Sequence, residues 1–299
     1  MRDIFWVALR ISSIAEKVSS KNMLIFLRLN PALCLFAMLS VSLSQGQARP
    51  SVPSEQASMP TISAAPSARV VPPAPNYGFP DGQTYVYEVE WHLFNAGTAR
   101  VTIGVDSSGQ QHVTAVADSA GVVNALYKVH DRFEAFFDPR TFCSLRVSKN
   151  TEEGSHSRQT ELRFDYSRSK SVLDEKNLKT GEQKHVENDV PACVTDVVSG
   201  FYYLASLPLQ PGNTNTFPMN DGGKTTEVRA RVEGREQVKV PAGTFQTVRV
   251  KAEAISGALQ NKGTVWAWFT DDAKHTPVQI RTKLGWGTLL FRLQRTEKQ

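Results

Sequence analysis

From residue 77 onward, hydrophobic and polar residues alternate along the chain with a period of two. Tyr85–Trp91 has an aromatic residue or valine at every second position, and Ala99–Val105 repeats the pattern. This alternation is typical of half-buried strands, because successive side chains point to opposite faces of a sheet. Asn95-Ala96-Gly97 is expected to form the hairpin loop between these two strands. Further strands are predicted over residues 112–118, 132–137, 145–150, 160–166, 171–175, 183–187, 215–219, 225–233, 236–240, 244–255, 263–270, 277–282 and 287–293.

One segment has a helical period instead. Between Cys193 and Leu207 the apolar residues recur at spacings of three and four, with Pro191 and Pro208 as boundaries, which predicts an amphipathic helix. A weaker helical turn is indicated over residues 121–127. Many antiparallel strands with one apolar helix predict a mainly β fold, in which a strongly curved antiparallel sheet or (half-)barrel packs against one amphipathic α-helix.

Residues 1–48 have the pattern of a secretory signal peptide. Arg28 precedes the apolar run Ala32–Leu43, and small residues end at Ala48. Because this run is much shorter than the roughly 20 residues that span a bilayer, we predict cleavage rather than a retained anchor. The true start is either Met1 or Met23, and either start predicts a periplasmic or otherwise exported protein with no stable transmembrane segment after cleavage.

A proline-rich stretch follows the predicted leader. Residues 49–80 contain eight of the sixteen prolines and almost no charged residues. Such a sequence buries too little apolar area to offset the entropy of ordering it. We therefore predict a disordered linker over residues 49–76 and a single β-rich domain over residues 77–299.

Removing the leader changes the charge and cysteine inventory. The leader holds five basic and two acidic residues of the 34 and 29 in the chain, so the mature net charge is about +2 rather than +5. This balance, with no basic stripe, argues against nucleic-acid binding.

Cys143 and Cys193 are the cysteines that remain, and in an exported chain they predict one disulfide. Two buried free thiols are the alternative. No metal site is predicted, since neither cysteine has a ligand at metal-binding spacing, and no cofactor is predicted.

Several motifs together resemble a known bacterial exported family, the domain of unknown function 3108. They are Tyr77-Gly78-Phe79 with Gly82 and Tyr85, Asn95-Ala96-Gly97, residues 127–131, residues 196–209 with Gly212, residues 240–245 and residues 268–278. The resemblance covers residues 77 to about 295 and implies an exported, β-rich domain, without implying any catalytic residue. The family pattern predicts an arginine at position 205, and this chain has alanine there instead.

No motif names a reaction. The chain contains no Gly-x-Ser-x-Gly, no phosphate-binding glycine loop and no pair of histidines at helical spacing, so the common hydrolase arrangements are not indicated. Asp131 and Asp272 are candidate carboxylates for polymer hydrolysis. Asp271-Asp272 is also well explained as a turn, and adjacent His130 and Asp131 would point to opposite faces of a strand.

The aromatic residues give the stronger functional hypothesis. In a tightly filled barrel they are core, whereas in a wider sheet they line an apolar cavity with the helix as a lid. The candidate ligand-binding residues are Trp91, Phe201, Tyr202, Trp266, Trp268 and Trp286. The function favoured by this reasoning is a non-enzymatic binding or envelope-assembly module for an apolar, lipid-like or glycan ligand. The alternatives are a carboxylate-dependent hydrolase of envelope polymers and a purely structural protein.

Overall fold

The computed structural model describes residues 68–74, 77–91, 94–284 and 287–298. The predicted leader and most of the predicted linker lie outside these ranges, so the structure does not test them. Within the described residues, two helices and fourteen strands are present. The helices are α1 (Gly121–Leu126) and α2 (Val197–Ser206), and a short 3-10 turn spans Gly257–Leu259.

The strands follow one another along the chain with short connections. They are β1 (Gln83–Trp91), β2 (Phe94–Val105), β3 (Gln111–Ser119), β4 (Val129–Phe137), β5 (Ser144–Glu153), β6 (His156–Asp165), β7 (Lys170–Asn177), β8 (Gln183–Asp189), β9 (Thr214–Asp221), β10 (Lys224–Val240), β11 (Gly243–Ala254), β12 (Gly263–Thr270), β13 (Pro277–Leu284) and β14 (Gly287–Lys298).

All fourteen strands belong to one antiparallel sheet in the order β8-β7-β6-β5-β4-β3-β2-β1-β14-β13-β12-β11-β10-β9. The first strand therefore pairs with the last, and β8 and β9 are the two edges. The sheet is curved and does not close, which confirms the predicted fold class. Successive turns alternate between its two ends. The α1 end contains α1 and the described connections at residues 154–155, 178–182, 222–223 and 255–262. The α2 end contains α2 and the other described connections.

The chain between β8 and β9 bridges β5 and the β9 edge at the α2 end. Val194 accepts a hydrogen bond from the backbone N–H of Ser144 at the start of β5 (2.8 Å). Thr195 donates to Pro218 in β9 (3.1 Å) and accepts from Asn220 (2.7 Å). Edge strands carry unpaired backbone groups, so these bonds protect part of the β9 edge while joining it to the opposite half of the sheet.

Helix α2 begins three residues later than the periodicity suggests. Val194 and Thr195 are engaged in the link between the strands, so the first helical residue is Val197. Asp196 is the N-cap, and its carboxylate accepts from the backbone N–H groups of Val198 (2.7 Å) and Ser199 (3.0 Å). The Ser199 hydroxyl in turn bonds the Asp196 backbone N–H, completing a capping box that satisfies otherwise unpaired donors.

Two breaks expected from the sequence are β-bulges. Asn95-Ala96-Gly97 lies inside β2, where the register with β1 shifts by one residue at Ala96. Gly234, expected to separate two strands, lies within the continuous strand β10 at a second register shift. In both places one extra residue is accommodated without ending the strand.

Residues 68–74 fall within the predicted linker, yet they lie against the domain. The backbone N–H of Arg69 donates to Thr216 on the free side of β9 (3.2 Å). That of Val71 donates to the Tyr203 hydroxyl of α2 (3.3 Å). Val70 and Val71 also pack against the main core. The packed part of the chain therefore starts earlier than residue 77.

The predicted disulfide is present. The sulfur atoms of Cys143 and Cys193 are 2.05 Å apart, with 5.0 Å between the Cα atoms. Cys143 immediately precedes β5, and Cys193 precedes the segment that bridges β5 and β9. The bridge thus fixes the approach to α2 against the first half of the sheet.

Candidate apolar ligand site

The concave side of the sheet encloses an apolar cavity of about 260 Å³. It is bounded by α2 at one end and by the inward faces of strands from both halves of the sheet. Many inward positions hold small residues, and these leave the space that larger side chains would fill. The small residues of the wall are Ala96, Gly97, Ala99, Ala115, Ala117, Gly200, Ala205, Ala252 and Ala267.

Packing is tight near α2 and loosens toward the α1 end. Ile103 and Val113, inward-facing residues of β2 and β3, are 0% and 1% exposed. Further along the same strands, Ala99, Ala115 and Ala117 are only half-buried, although they also face inward. The cavity is therefore closed near α2 and accessible to solvent toward the α1 end.

Helix α2 is the floor of this cavity and is held at both ends. At its start, the Asp196 carboxylate accepts from the Ser144 hydroxyl (2.6 Å) as well as from its own helix. Near its end, a ring nitrogen of His275 lies 2.6 Å from the backbone oxygen of Ala205, to which it donates. Seven of the ten helix residues are buried. Helix α2 therefore covers one end of the cavity, where hydrogen bonds anchor it at both of its ends.

The structure brings together only some of the candidate ligand-binding residues. Phe201 and Tyr202 line the cavity. Trp91 is partly buried and packs beside Val89 and Leu289 near the α1 end without lining the cavity. Trp286 lies outside the described residues. Among the described candidates, only Phe201 and Tyr202, both on α2, line the cavity.

Trp266 and Trp268 lie on the other face of β12. Their neighbours Val265, Ala267 and Phe269 line the cavity, and alternation along a strand directs both tryptophans away from it. The indole N–H of Trp268 donates to Glu236 (2.7 Å). The guanidinium of Arg281 lies 5.6 Å from the Trp266 ring centroid, within the range of a cation–π contact.

A buried polar cluster adjoins the wall formed by β4. Asp131, which lines the cavity, is 1% exposed and accepts from the backbone N–H of Glu152 (3.1 Å). Lys149 lies 3.0 Å from the Asp221 carboxylate, and its ammonium is 5.3 Å from the centroid of the Phe133 ring. This ion pair joins β5 to the β9 edge from within, where burial strengthens the attraction but also adds a desolvation cost. Sequence reasoning missed it, although Lys149 occupies an inward position of an alternating strand.

The tyrosines of the interior are neutral at physiological pH. Burial raises the pKa of Tyr87 and of Tyr202, and the nearby tyrosine hydroxyls add to the effect. The Tyr87 hydroxyl donates to the backbone oxygen of Pro277 (2.8 Å). Tyr87 is therefore a hydrogen-bonded core residue, and neither tyrosine supplies a phenolate to the cavity.

The candidate hydrolytic carboxylates do not form a pair. Asp131 lies toward the α1 end of β4, whereas Asp272 lies in the β12–β13 turn at the α2 end. Asp272 accepts from the backbone N–H of Lys274 (2.9 Å), as expected of a turn residue. His130 points outward to Asp118 (2.6 Å) and away from Asp131, as predicted. Among the described residues, no group of three or more His, Cys, Asp or Glu side chains could hold a metal ion.

Neither helix in the described part of the chain has the length and hydrophobicity needed to cross a membrane. The curved sheet with its apolar interior places the protein in the class of β-barrel-like folds. A β-barrel-like protein of domain of unknown function DUF1849 from Brucella abortus has the same fold, with a TM-score of 0.53 and 8% identity over 78% of this chain and 100% of that one.

Residues 86–294 match the family described as Protein of unknown function (DUF3108), and the chain belongs to this family. Two other solved structures have lower similarity. An exported protein with a YmcC-like fold from Bacteroides fragilis gives a TM-score of 0.28 at 12% identity, over 74% of this chain and 98% of that one. A lipoprotein from Parabacteroides distasonis gives 0.27 at 10%, over the same shares. These two scores are too low to support an argument. No curated protein matches the sequence.

Proposed function

We propose that this protein is an exported, non-enzymatic module that binds an apolar, lipid-like ligand inside the curved sheet. The observation that carries the proposal is the cavity of about 260 Å³ with small apolar residues along its wall, closed by α2 and accessible near α1. An apolar cavity of about 150 Å³ is already enough to bind benzene, and small-molecule sites typically begin near 300 Å³. The volume therefore suits an alkyl chain or a small apolar ring.

The chemistry of the wall favours an apolar ligand over a glycan. Sugars are recognised through several hydrogen bonds, whereas the cavity wall is formed mainly by alanine, valine and aromatic side chains. Asp131 is the buried carboxylate of this wall, and it already accepts a backbone hydrogen bond. The separation of Asp131 from Asp272 gives no support to the hydrolase alternative.

The test replaces small wall residues with larger ones. In the double variant Ala115→Leu/Ala117→Leu, the new side chains enter open space, so the free energy of unfolding should fall by less than about 1 kcal/mol. Affinity for the uncharged dye N-phenyl-1-naphthylamine should fall by roughly tenfold or more, since the leucines occupy its volume. Dye titration and urea denaturation measure the two effects.

A matched control lies on the same strand. Thr114 alternates with these alanines and does not line the cavity, so Thr114→Leu should leave dye affinity unchanged. If the double variant binds dye as the wild type does, or loses the roughly 1–3 kcal/mol typical of overpacking, the cavity is not the binding site. Mass spectrometry of organic extracts from the purified protein should also find a co-purifying lipid.

A further inference from the structure

The mouth of the cavity has an apolar rim. Phe94, at the start of β2, is 69% exposed, and Val122 and Leu126 of α1 are 74% and 66% exposed. Val123, between the last two, lines the cavity itself. The exposed apolar residues are thus continuous with the interior wall.

Core packing does not account for the composition of α1. None of its six residues is buried, and its N-cap Ala120 has no side chain that could cap it. A helix this short is unstable in water without tertiary contacts. Clustered apolar residues exposed around a binding cavity mark an interaction surface with an apolar partner.

The same end of the sheet carries exposed positive charge. None of the described ion pairs involves the exposed lysines of its turns and of the strand ends beside them. The exposed acidic residues in the same places are Glu152, Glu182, Glu227 and Asp118, the last of which pairs with His130. The lysines are Lys128, Lys179, Lys224, Lys262 and Lys283.

At the α2 end, acidic residues accompany the basic ones in the turns. Apart from the α2 N-cap Asp196, the charged residues of these turns are Asp106, Asp138, Arg140, Arg168, Asp271, Asp272 and Lys274. Compared turn with turn, lysine is in excess at the α1 end, where Lys128, Lys179 and Lys262 face one acidic residue, Glu182, and where the cavity is accessible.

We propose that the α1 end docks on the surface of an anionic phospholipid bilayer, with the cavity mouth facing the lipid. Phe94, Val122 and Leu126 enter the interface, and the lysines around them contact the headgroup phosphates. Amphipathic surfaces with this combination bind at the boundary between headgroups and acyl chains. The inference rests on the proposed function, since it supplies the route by which an apolar ligand reaches the cavity without crossing water.

Vesicle binding tests the apolar rim. The purified exported chain should co-sediment with mixed phosphatidylglycerol and phosphatidylcholine vesicles and bind far less to phosphatidylcholine alone. Phe94→Ser/Leu126→Ser should lower the partition coefficient by roughly tenfold or more, because two large apolar side chains no longer leave water. Val105 is the matched control: it is 52% exposed at the opposite end of β2, and Val105→Ser should leave partitioning unchanged.

A second series tests the charges. Each of Lys128→Gln and Lys283→Gln should weaken binding to the anionic vesicles by roughly fivefold at low salt, the effect of one lysine near such a surface. Lys239 and Lys274 are exposed at the α2 end, so Lys239→Gln and Lys274→Gln should have no effect. Equal losses from both pairs would show that the attraction is not oriented and would overturn the proposal.

Docking and ligand binding can fail separately. The rim variants should still bind N-phenyl-1-naphthylamine in the absence of vesicles, while Ala115→Leu/Ala117→Leu should bind vesicles normally. Wild-type protein that binds the dye but not anionic vesicles would overturn docking and leave the cavity proposal standing. Concentration-dependent dimers that disappear in Phe94→Ser, without vesicle binding, would assign the rim to a second copy of the chain instead.

Discussion

Gly97 shows how one residue shapes the mouth of the cavity. It follows the bulge in β2 and has a φ of +155°, and a Cβ built on it would lie 1.9 Å from the backbone oxygen of Asp118 in β3. No side chain can occupy that space without moving one of the two strands. The close approach of β2 and β3 at this point therefore requires glycine.

Replacing this glycine should be costly. Gly97→Ala is expected to lower the free energy of unfolding by roughly 1–3 kcal/mol or more, because the backbone of β3 must shift. Gly104 provides the control, since it lies in the same strand with no atom near its would-be Cβ. Urea denaturation of Gly104→Ala should give a change within about 0.5 kcal/mol, and an equal loss in both variants would contradict the explanation.

At the scale of elements, the disulfide and the capping box together fix the start of α2. Cys143 and Asp196 both act on the beginning of β5, one through the bridge to Cys193 and the other through the Ser144 hydroxyl. The helix floor and the bridge between β5 and β9 therefore depend on the same short segment. Loss of the bridge should affect both.

The double variant Cys143→Ser/Cys193→Ser should lower the free energy of unfolding by about 2–5 kcal/mol, because the unfolded chain is no longer constrained. At temperatures where the variant stays folded, the free energy of dye binding should change less than the free energy of unfolding, since the Asp196 cap still holds α2. Denaturation with and without a reducing agent provides the measurement. A wild-type protein whose stability does not respond to reduction would contradict this role.

The sequence predicted the strands and the helix better than it predicted which of their side chains face the cavity. The period of two marks the strands, and the spacing of three and four between Cys193 and Leu207 marks α2, because these signals are local. The side of the sheet toward which Trp266 and Trp268 point depends on strand pairing and cannot be read from the local sequence. Alternation shows that they share a face, but only the pairing of β12 with its neighbours decides that this face lies outside the cavity.

The sequence raised an apolar cavity as one of two possibilities, but the small residues that line it were missed for a related reason. Ala115 and Ala117 alternate regularly in the sequence, and so do the small residues of other strands. Whether facing alanines leave a space or meet a large side chain depends on partners far along the chain. The bulge at Gly234 likewise depends on how β10 pairs with β11, because a glycine can either end a strand or lie in a bulge within it.

At the scale of the whole molecule, the signal-like segment remains a prediction that lies outside the described residues. Export should release a mature chain that begins near Arg49, because the apolar run is followed by small residues ending at Ala48. N-terminal sequencing of protein from the periplasmic fraction checks this. An intact Met1 or Met23 terminus on a membrane-bound protein would contradict it.

The pairing of β1 with β14 has a consequence for the order in which the protein can be assembled. A chain made from its N-terminus completes β1 to β8 first, with the side of β1 that later receives β14 still unpaired. Cys143 and Cys193 both precede β9, so the covalent link can form within this first half alone. The joint between β1 and β14, in the middle of the finished sheet, is thus the last to form, and until then β1 is an open edge that can recruit another chain.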